Sequence, residues 1–209
     1  IEDRVNYTTN YKTFLAPGLI AMAMMQNAFA NTSSSILGSK MQGNIVDLLM
    51  PPLNANEIIV SYISAATIRG LLVSVITFLA IYPFTNLVIY NFYLLFFFSI
   101  SGSIFLSSLG LVAGIWSEKF DNMSGITNFI ITPLTFLSGT FYAIDRLPEP
   151  FYTISLWNPF YYIIDGFRSA FFHSVDSNLV YGITYLSMLN LVMYIICYKI
   201  LNKGWMLKS

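Results

Sequence analysis

Five apolar stretches of the chain are each long enough to cross a lipid bilayer as a single helix. A crossing needs about 20 consecutive, mainly apolar residues, because an α-helix rises about 1.5 Å per residue through a hydrocarbon layer roughly 30 Å thick. This pattern predicts an all-α membrane protein with about five transmembrane helices, in one integral domain over residues 1–209. The predicted spans are Phe14–Leu37, Ser64–Phe84, Tyr90–Ile115, Gly125–Ile144 and Leu179–Leu201.

The composition agrees with this class and excludes several functions. Hydrophobic residues make up 56% of the chain and charged residues only 10%, whereas soluble domains carry roughly 25% charge. Ten basic and ten acidic residues leave no net charge and no basic patch for nucleic acid. The sequence contains no G-x-x-x-x-G-K-[ST] phosphate loop and no cluster at metal-ligand spacing. No catalytic, cofactor or metal site is therefore expected on this chain.

The link between the first two predicted spans, residues 40–53, predicts a short amphipathic helix. Pro51 and Pro52 end it, and Asn54 with Glu57 has the spacing of a capping box for the next helix. Two interpretations stay open: the helix transmits force from a soluble partner, or it only rests on lipid. Its apolar face contains Met41, Ile45, Leu48 and Leu49, and its polar face contains Lys40, Asn44 and Asp47.

Arg69 places a cation inside the second predicted span. A charge within a membrane is costly and usually faces a partner, a cavity or the interface. One interpretation makes Arg69 part of a substrate path or gate. In the other, its long side chain reaches the water boundary, because Arg69 lies within about two helical turns of the predicted start at Ser64.

Helix-breaking residues lie inside two of the predicted spans. Pro17 and Gly18 interrupt the first, and Pro133, with Gly139 downstream, interrupts the fourth. Such residues kink or locally open a helix. Serines within the spans are small enough to let helices pack closely.

The segment 145–178 is long but unusually aromatic for a loop. Pro148 can open one short helix, and Asn158 followed by Pro159 is a cap and first-turn signal for another. In the second helix Asp165 and Arg168 stand three residues apart and can pair. A helix this apolar at a membrane edge would lie in the interface or dip into it, so a structural lid over the helix bundle and an external gate both stay open.

These segments together resemble the type-2 ABC exporter permeases of bacteria. The resemblance rests on FDNMSGITNFIITPLTFLSGTFYAIDRLP followed by SLWNPFYYIIDGFRSAFF, between Trp116 and Phe172. APGLIAMAMMQNAF, KMQGNIVDLLMPPL and the pair Arg69–Gly70 extend it over essentially the whole chain. It implies that the link 40–57 is the coupling helix that meets a cytoplasmic ATPase. It also implies a six-span fold, of which this chain is expected to lack the first span.

The resemblance implies a permease subunit of an ATP-driven exporter in the bacterial inner membrane. Two permease copies, expected to be identical, would work with two separate ATPase subunits that bind ATP-Mg, while this chain binds no cofactor. The expected substrate is an amphipathic drug, lipid or lipid-linked glycan. The expected ATPase-coupling residues are Lys40, Gln42, Asn44, Asp47, Leu48, Met50 and Glu57. Those of the substrate path or gate are Pro17, Asn27, Arg69, Pro133, Gly139, Tyr142, Asn158, Pro159, Asp165 and Arg168.

Two rival functions stay open at this point. A membrane-embedded enzyme acting on lipid substrates would need an acid–base or metal constellation, and the sequence contains none. An ATP-independent channel or secondary transporter would need several facing charges within the spans, and Arg69 is nearly alone there.

Overall fold

The computed structural model describes residues 11–44, 53–85, 87–142, 144, 147–172 and 178–202, and the regular structure within these ranges is helical. In chain order the elements are α1 (Tyr11–Met41), α2 (Ala55–Thr85), α3 (Phe92–Trp116), α4 (Phe120–Ile126), a π-helical turn (Thr127–Ile131), α5 (Thr132–Phe136), α6 (Phe151–Trp157), α7 (Pro159–Arg168) and α8 (Leu179–Asn202).

Four helices are long and apolar enough to cross a membrane: α1, α2, α3 and α8. They confirm four of the five predicted spans. Within the described ranges α1 and α3 are mostly buried, while α2 and α8 are mostly exposed. The exposed side chains of these two helices are largely apolar, as expected for a surface in contact with lipid; they include Leu72, Ile76 and Leu79 on α2 and Val180, Met188 and Leu191 on α8.

The predicted span Gly125–Ile144 is wrong in its extent. The helical run begins at Phe120 and ends at Phe136, so it is shorter than the roughly 20 residues of a straight crossing. Pro133 makes the run irregular, because it has no N–H and its ring clashes with the preceding turn. The helix widens into the π-helical turn, where the Thr132 N–H donates to the Thr127 carbonyl. At Gly139 the chain then adopts a φ of 75°, which ends the helix.

Close contact between α1 and α3 forms the centre of the bundle. A Cβ atom at Gly110 would lie 2.5 Å from the Phe29 carbonyl oxygen, and one at Gly114 would lie 2.8 Å from that of Ser33. The backbones of α1 and α3 are therefore in close contact, which small residues such as glycine permit in membrane helix bundles. This burial fixes which face of α1 points inward.

The helix α7 lies inside the bundle, whereas most residues of α6 before it are exposed or partly exposed. The residues of α7 from Phe160 to Arg168 are all buried. The Phe160 ring lies 6.4 Å from that of Phe105 on α3, and Gly166 packs directly against Phe98. On its other side, the Tyr162 ring lies 5.1 Å from that of Tyr185 on α8.

Replacing Gly110 with alanine should destabilise the fold. The added Cβ would overlap the Phe29 carbonyl, so α1 must move away from α3, and overpacking of this kind costs about 1–3 kcal/mol. The thermal unfolding midpoint in detergent should fall. Gly125→Ala is the matched control, because nothing lies within 4 Å of a Cβ there. Equal midpoints for the two variants would contradict the packing described.

Candidate functional site

One face of α1 is partly exposed yet lacks large apolar side chains over almost five helical turns. From residue 23 to residue 39, every residue of α1 that is not buried is Ala, Gln, Asn, Ser or Gly. We call this face the polar stripe. The exposed surfaces of α2 and α8 instead carry large apolar groups. The polar stripe consists of Ala23, Gln26, Asn27, Ala30, Asn31, Ser34, Ser35, Gly38 and Ser39.

Arg69 lies beside the polar stripe. Its Nη1 donates to the Asn31 Oδ1 over 2.9 Å, which joins α2 to α1. Because α2 begins at Ala55 and not at Ser64, Arg69 lies about four helical turns inside the helix. A helix of 31 residues is longer than one membrane crossing needs, so its start does not mark the water boundary, and both interpretations of Arg69 stay predictions.

The structure thus places two predicted path residues, Asn27 and Arg69, on one face. The Asn27 Nδ2 donates to the Ala23 carbonyl over 3.0 Å. Asn31 was not among the predicted site residues. Its spacing of four residues from Asn27 in an apolar helix is a signal that could have identified it, because residues four apart share one helical face.

The turn 137–142, which follows α5, lies at the N-terminal end of α1. Side chains from α6 and from the start and end of α7 hold it. Arg168 is buried, and its Nη2 donates to the Gly139 carbonyl over 2.8 Å. The Ser155 hydroxyl donates to the Leu137 carbonyl over 2.8 Å. The Asn158 Nδ2 donates to the Leu134 carbonyl over 2.7 Å. The Leu134 and Leu137 carbonyls belong to the end of α5, which leaves them without an internal donor, and the Gly139 carbonyl lies in the turn that follows.

The first turns of α1 pack on the same turn. A Cβ at Gly18 would lie 2.8 Å from the Thr140 carbonyl, so the Pro17–Gly18 pair lets the turn approach closely. The Tyr11 hydroxyl donates to the Phe141 carbonyl over 3.2 Å. The Arg168 guanidinium carbon lies 4.0 Å from the centre of the Phe14 ring, a cation–π distance.

The remaining predicted gate residues lie around this assembly. Tyr142 donates from its hydroxyl to the Phe136 carbonyl over 3.0 Å, and burial raises the pKa of this hydroxyl above its ordinary value. Pro159 begins α7, where the Asn158 Oδ1 accepts from the Phe160 N–H over 3.0 Å, so the predicted cap is confirmed. Asp165 is buried one turn before Arg168 on α7. Pro133 is exposed and follows the π-helical turn.

The other end of α1 carries the first predicted coupling residue. Lys40 lies in the last turn of α1, and its Nζ donates to the carbonyls of Ile115, over 2.7 Å, and Ser117, over 2.9 Å. These carbonyls lie at the end of α3, where a cation is favoured by the helix dipole. Lys40 therefore ends the span, so the link begins later than predicted.

The rest of the predicted coupling segment is only partly described. Gln42 and Asn44 lie in the turn after α1, where the Asn44 Nδ2 donates to the Gln42 Oε1 over 3.3 Å. The Asn54 N–H donates to the Glu57 Oε2 over 2.8 Å at the start of α2, as the capping box predicts. Asp47, Leu48 and Met50, and most of the predicted amphipathic helix, lie outside the described residues.

An apolar cavity of about 200 Å³ lies between α1, α2, α3 and α7. Its two serines donate within their own helices, Ser74 to the Leu71 carbonyl and Ser99 to that of Leu95. On α2 the cavity-lining Leu71 faces nearly opposite to Arg69. Within the described ranges, no group of three or more His, Cys, Asp or Glu side chains is placed to hold a metal ion.

Comparisons with known proteins agree on one kind of relative. The model of the ABC-2 type transporter family matches residues 2–172. The inner membrane transport permease YadH of Escherichia coli strain K12 is 33% identical over 200 residues, which cover 96% of this chain and 78% of YadH. Nodulation protein J of Rhizobium leguminosarum bv. viciae is 26% identical over 203 residues, covering 94% and 76%. The polysialic acid transport protein KpsM of Escherichia coli is 26% identical over 84 residues, covering 40% and 32%.

Replacing Arg168 with methionine should loosen the turn 137–142. The change removes the charged donor to the Gly139 carbonyl and the cation over Phe14; a hydrogen bond to a charged group contributes about 1.5–3 kcal/mol. We expect a lower thermal midpoint and faster proteolytic cleavage at this turn. Lys12→Met, which removes an exposed cation from the first turns of α1, should change neither. Wild-type cleavage rates in Arg168→Met would show that this contact does not hold the turn.

Proposed function

The chain belongs to the ABC-2 type transporter family, and from this premise we propose that it exports an amphipathic substrate across the inner membrane, powered by a separate ATPase subunit. Relatives of this chain are transport permeases, which supports a non-enzymatic role over a lipid-modifying enzyme. The name of KpsM ties that protein to polysialic acid transport, and this supports keeping a lipid-linked glycan among the candidate substrates.

The polar stripe of α1 is the observation that carries this proposal. A helix surface in contact with lipid tails should be apolar, because unsatisfied polar groups are costly in hydrocarbon. The stripe instead carries amides and hydroxyls over almost five turns. Its serine hydroxyls donate to carbonyls of α1, and their oxygens can still accept hydrogen bonds from water or a substrate. Such a face suits a water-accessible path, in which polar parts of a substrate can replace water without losing hydrogen bonds. The path would be completed by a second copy of the chain.

The exposed face of α4 and α5 supports a two-copy assembly. Within the run 120–136, only Ile131 and Thr135 are buried, and Phe129 is 84% exposed. This run contains a π-helical turn and is too short to span the bilayer straight. A second permease copy packed on this face would bury its apolar side chains, and we propose an identical one.

Coupling to the ATPase would occur at the Lys40 end of α1. The link 40–57 is too polar for the hydrocarbon layer and joins two spanning helices, α1 and α2. Lys40 holds the start of this link on the end of α3. ATP-driven closure of the ATPases would push on the link and so tilt α1. The turn 137–142, fastened to the far end of α1, would open as the external gate.

Cysteine labelling tests the path. In a Cys197→Ala background, Ala30→Cys on the polar stripe and Met188→Cys on α8 both place one thiol at an exposed position near mid-helix. A thiol reacts as its thiolate, which needs water. We expect a charged maleimide to label Ala30→Cys and to leave Met188→Cys unlabelled. An unreactive Ala30→Cys in the full-length assembly would exclude a watery path along α1.

The coupling proposal is tested by co-expression with an ABC ATPase subunit from the same organism. The two proteins should co-purify, and ATP hydrolysis should depend on the permease and weaken in Asp47→Ala and Glu57→Ala. Lys40→Met should also lower permease-dependent hydrolysis while association persists, because the link loses its anchor on α3. Lys119→Met, an exposed cation just before α4, is the matched control and should behave as wild type. Absence of any ATPase association would remove the exporter proposal.

A further inference from the structure

We propose that Arg69, oriented by Asn31, binds the anionic group of the transported amphiphile, so that the path selects phosphate or carboxylate head groups. This inference rests on the proposed export function and names its substrate class.

The position of Arg69 gives the first argument. It is exposed on a spanning helix, about four turns after the first residue of α2, and the exposed residues that follow it on this helix are mainly large and apolar. A cation within a spanning helix is costly unless a partner or water reaches it. Asn31, which is neutral, is its hydrogen-bond partner among the described residues. The acidic residue on the same helix, Glu57, lies about 18 Å away along the axis. The positive charge of Arg69 thus remains available to an anion.

The contact with Asn31 gives the second argument. The amide oxygen accepts from Nη1 over 2.9 Å, which uses one of the five N–H donors of a guanidinium. This bond fixes the side chain against the polar stripe and leaves the other donors for a ligand. A planar guanidinium with free donors matches the two oxygens of a carboxylate or phosphate.

The surroundings of Arg69 identify the ligand as an amphiphile. On one side lies the polar stripe of α1. On the other, Leu72 and Ile76 follow Arg69 by three and seven residues on the same face of α2, and they are 59% and 65% exposed. A molecule with its anionic head at Arg69 can therefore lay its apolar tail along α2 while its polar parts contact α1.

Binding of two probes with the same tail tests the proposal. The full-length permease with its ATPase is placed in nanodiscs of phosphatidylcholine, and equilibrium binding of dodecyl phosphate and dodecyltrimethylammonium is measured. Wild type should bind dodecyl phosphate more tightly. Arg69→Gln should weaken dodecyl phosphate binding by about tenfold or more, since it removes a charge-assisted bond, and should leave dodecyltrimethylammonium binding unchanged. Arg69→Lys should keep part of the preference for the anion.

Matched variants separate this site from a general charge effect. Lys199→Gln removes an exposed cation from the last turn of α8 and should bind both probes as wild type does. Asn31→Ala should weaken dodecyl phosphate binding several-fold, because the guanidinium loses its orienting partner. If Arg69→Gln binds dodecyl phosphate like wild type, the inference is overturned.

Two further readouts distinguish anion binding from a contact between permease copies and from a failure of export. Native mass spectrometry of Arg69→Gln should show the same number of permease copies as wild type. Dissociation into single copies would mean that Arg69 pairs across their interface, which overturns the inference. Permease-dependent ATP hydrolysis is measured in the same nanodiscs. If wild type hydrolyses ATP but shows no preference for the anionic probe, the anion site is wrong while the export proposal stands.

Discussion

The close contact of α1 with α3 is the interaction on which the rest of the structure depends. Gly110 and Gly114 let the carbonyls of α1 approach the backbone of α3. Lipid tails are as apolar as the side chains they surround, so packing and polar contacts hold such helices together more than hydrophobic burial does. Once this face of α1 is buried, the polar stripe must point away from α3. The same contact aligns Lys40 with the end of α3.

Both ends of α1 are fastened by side chains that donate to carbonyl oxygens. At one end the donor is Lys40, and at the other Tyr11 donates to the turn 137–142, which Arg168 also holds. The Lys40 bonds satisfy carbonyls at the end of α3, and the Tyr11 bond satisfies one in the turn after α5. A helix of 31 residues, about 46 Å long, thus connects the two ends of the bundle.

The sequence was sufficient to predict two helix starts, because these depend on interactions between neighbouring residues. The pairs Asn54–Glu57 and Asn158–Pro159 start helices as predicted, because a cap depends only on neighbouring residues. The predicted span Gly125–Ile144 was wrong in its extent, because the average hydropathy of a stretch does not detect the π-helical turn before Pro133 or the turn at Gly139. The start of α2 was predicted at Ser64 and lies at Ala55, because the polar residues near Ala55 lower the local hydropathy. The full burial of α7 depends on which helices surround it, and one helical face cannot reveal that.

Arg69 and Arg168 are the same type of residue but differ in their burial and in their contacts. Arg168 is 6% exposed, lies over the Phe14 ring and donates to the Gly139 carbonyl. These contacts join α7 to α1 and to the turn 137–142. Arg69 is exposed and contacts one neutral amide. Its charge stabilises little within the described fold, so the cost of keeping it inside a spanning helix is best explained by a group that reaches it from outside the chain.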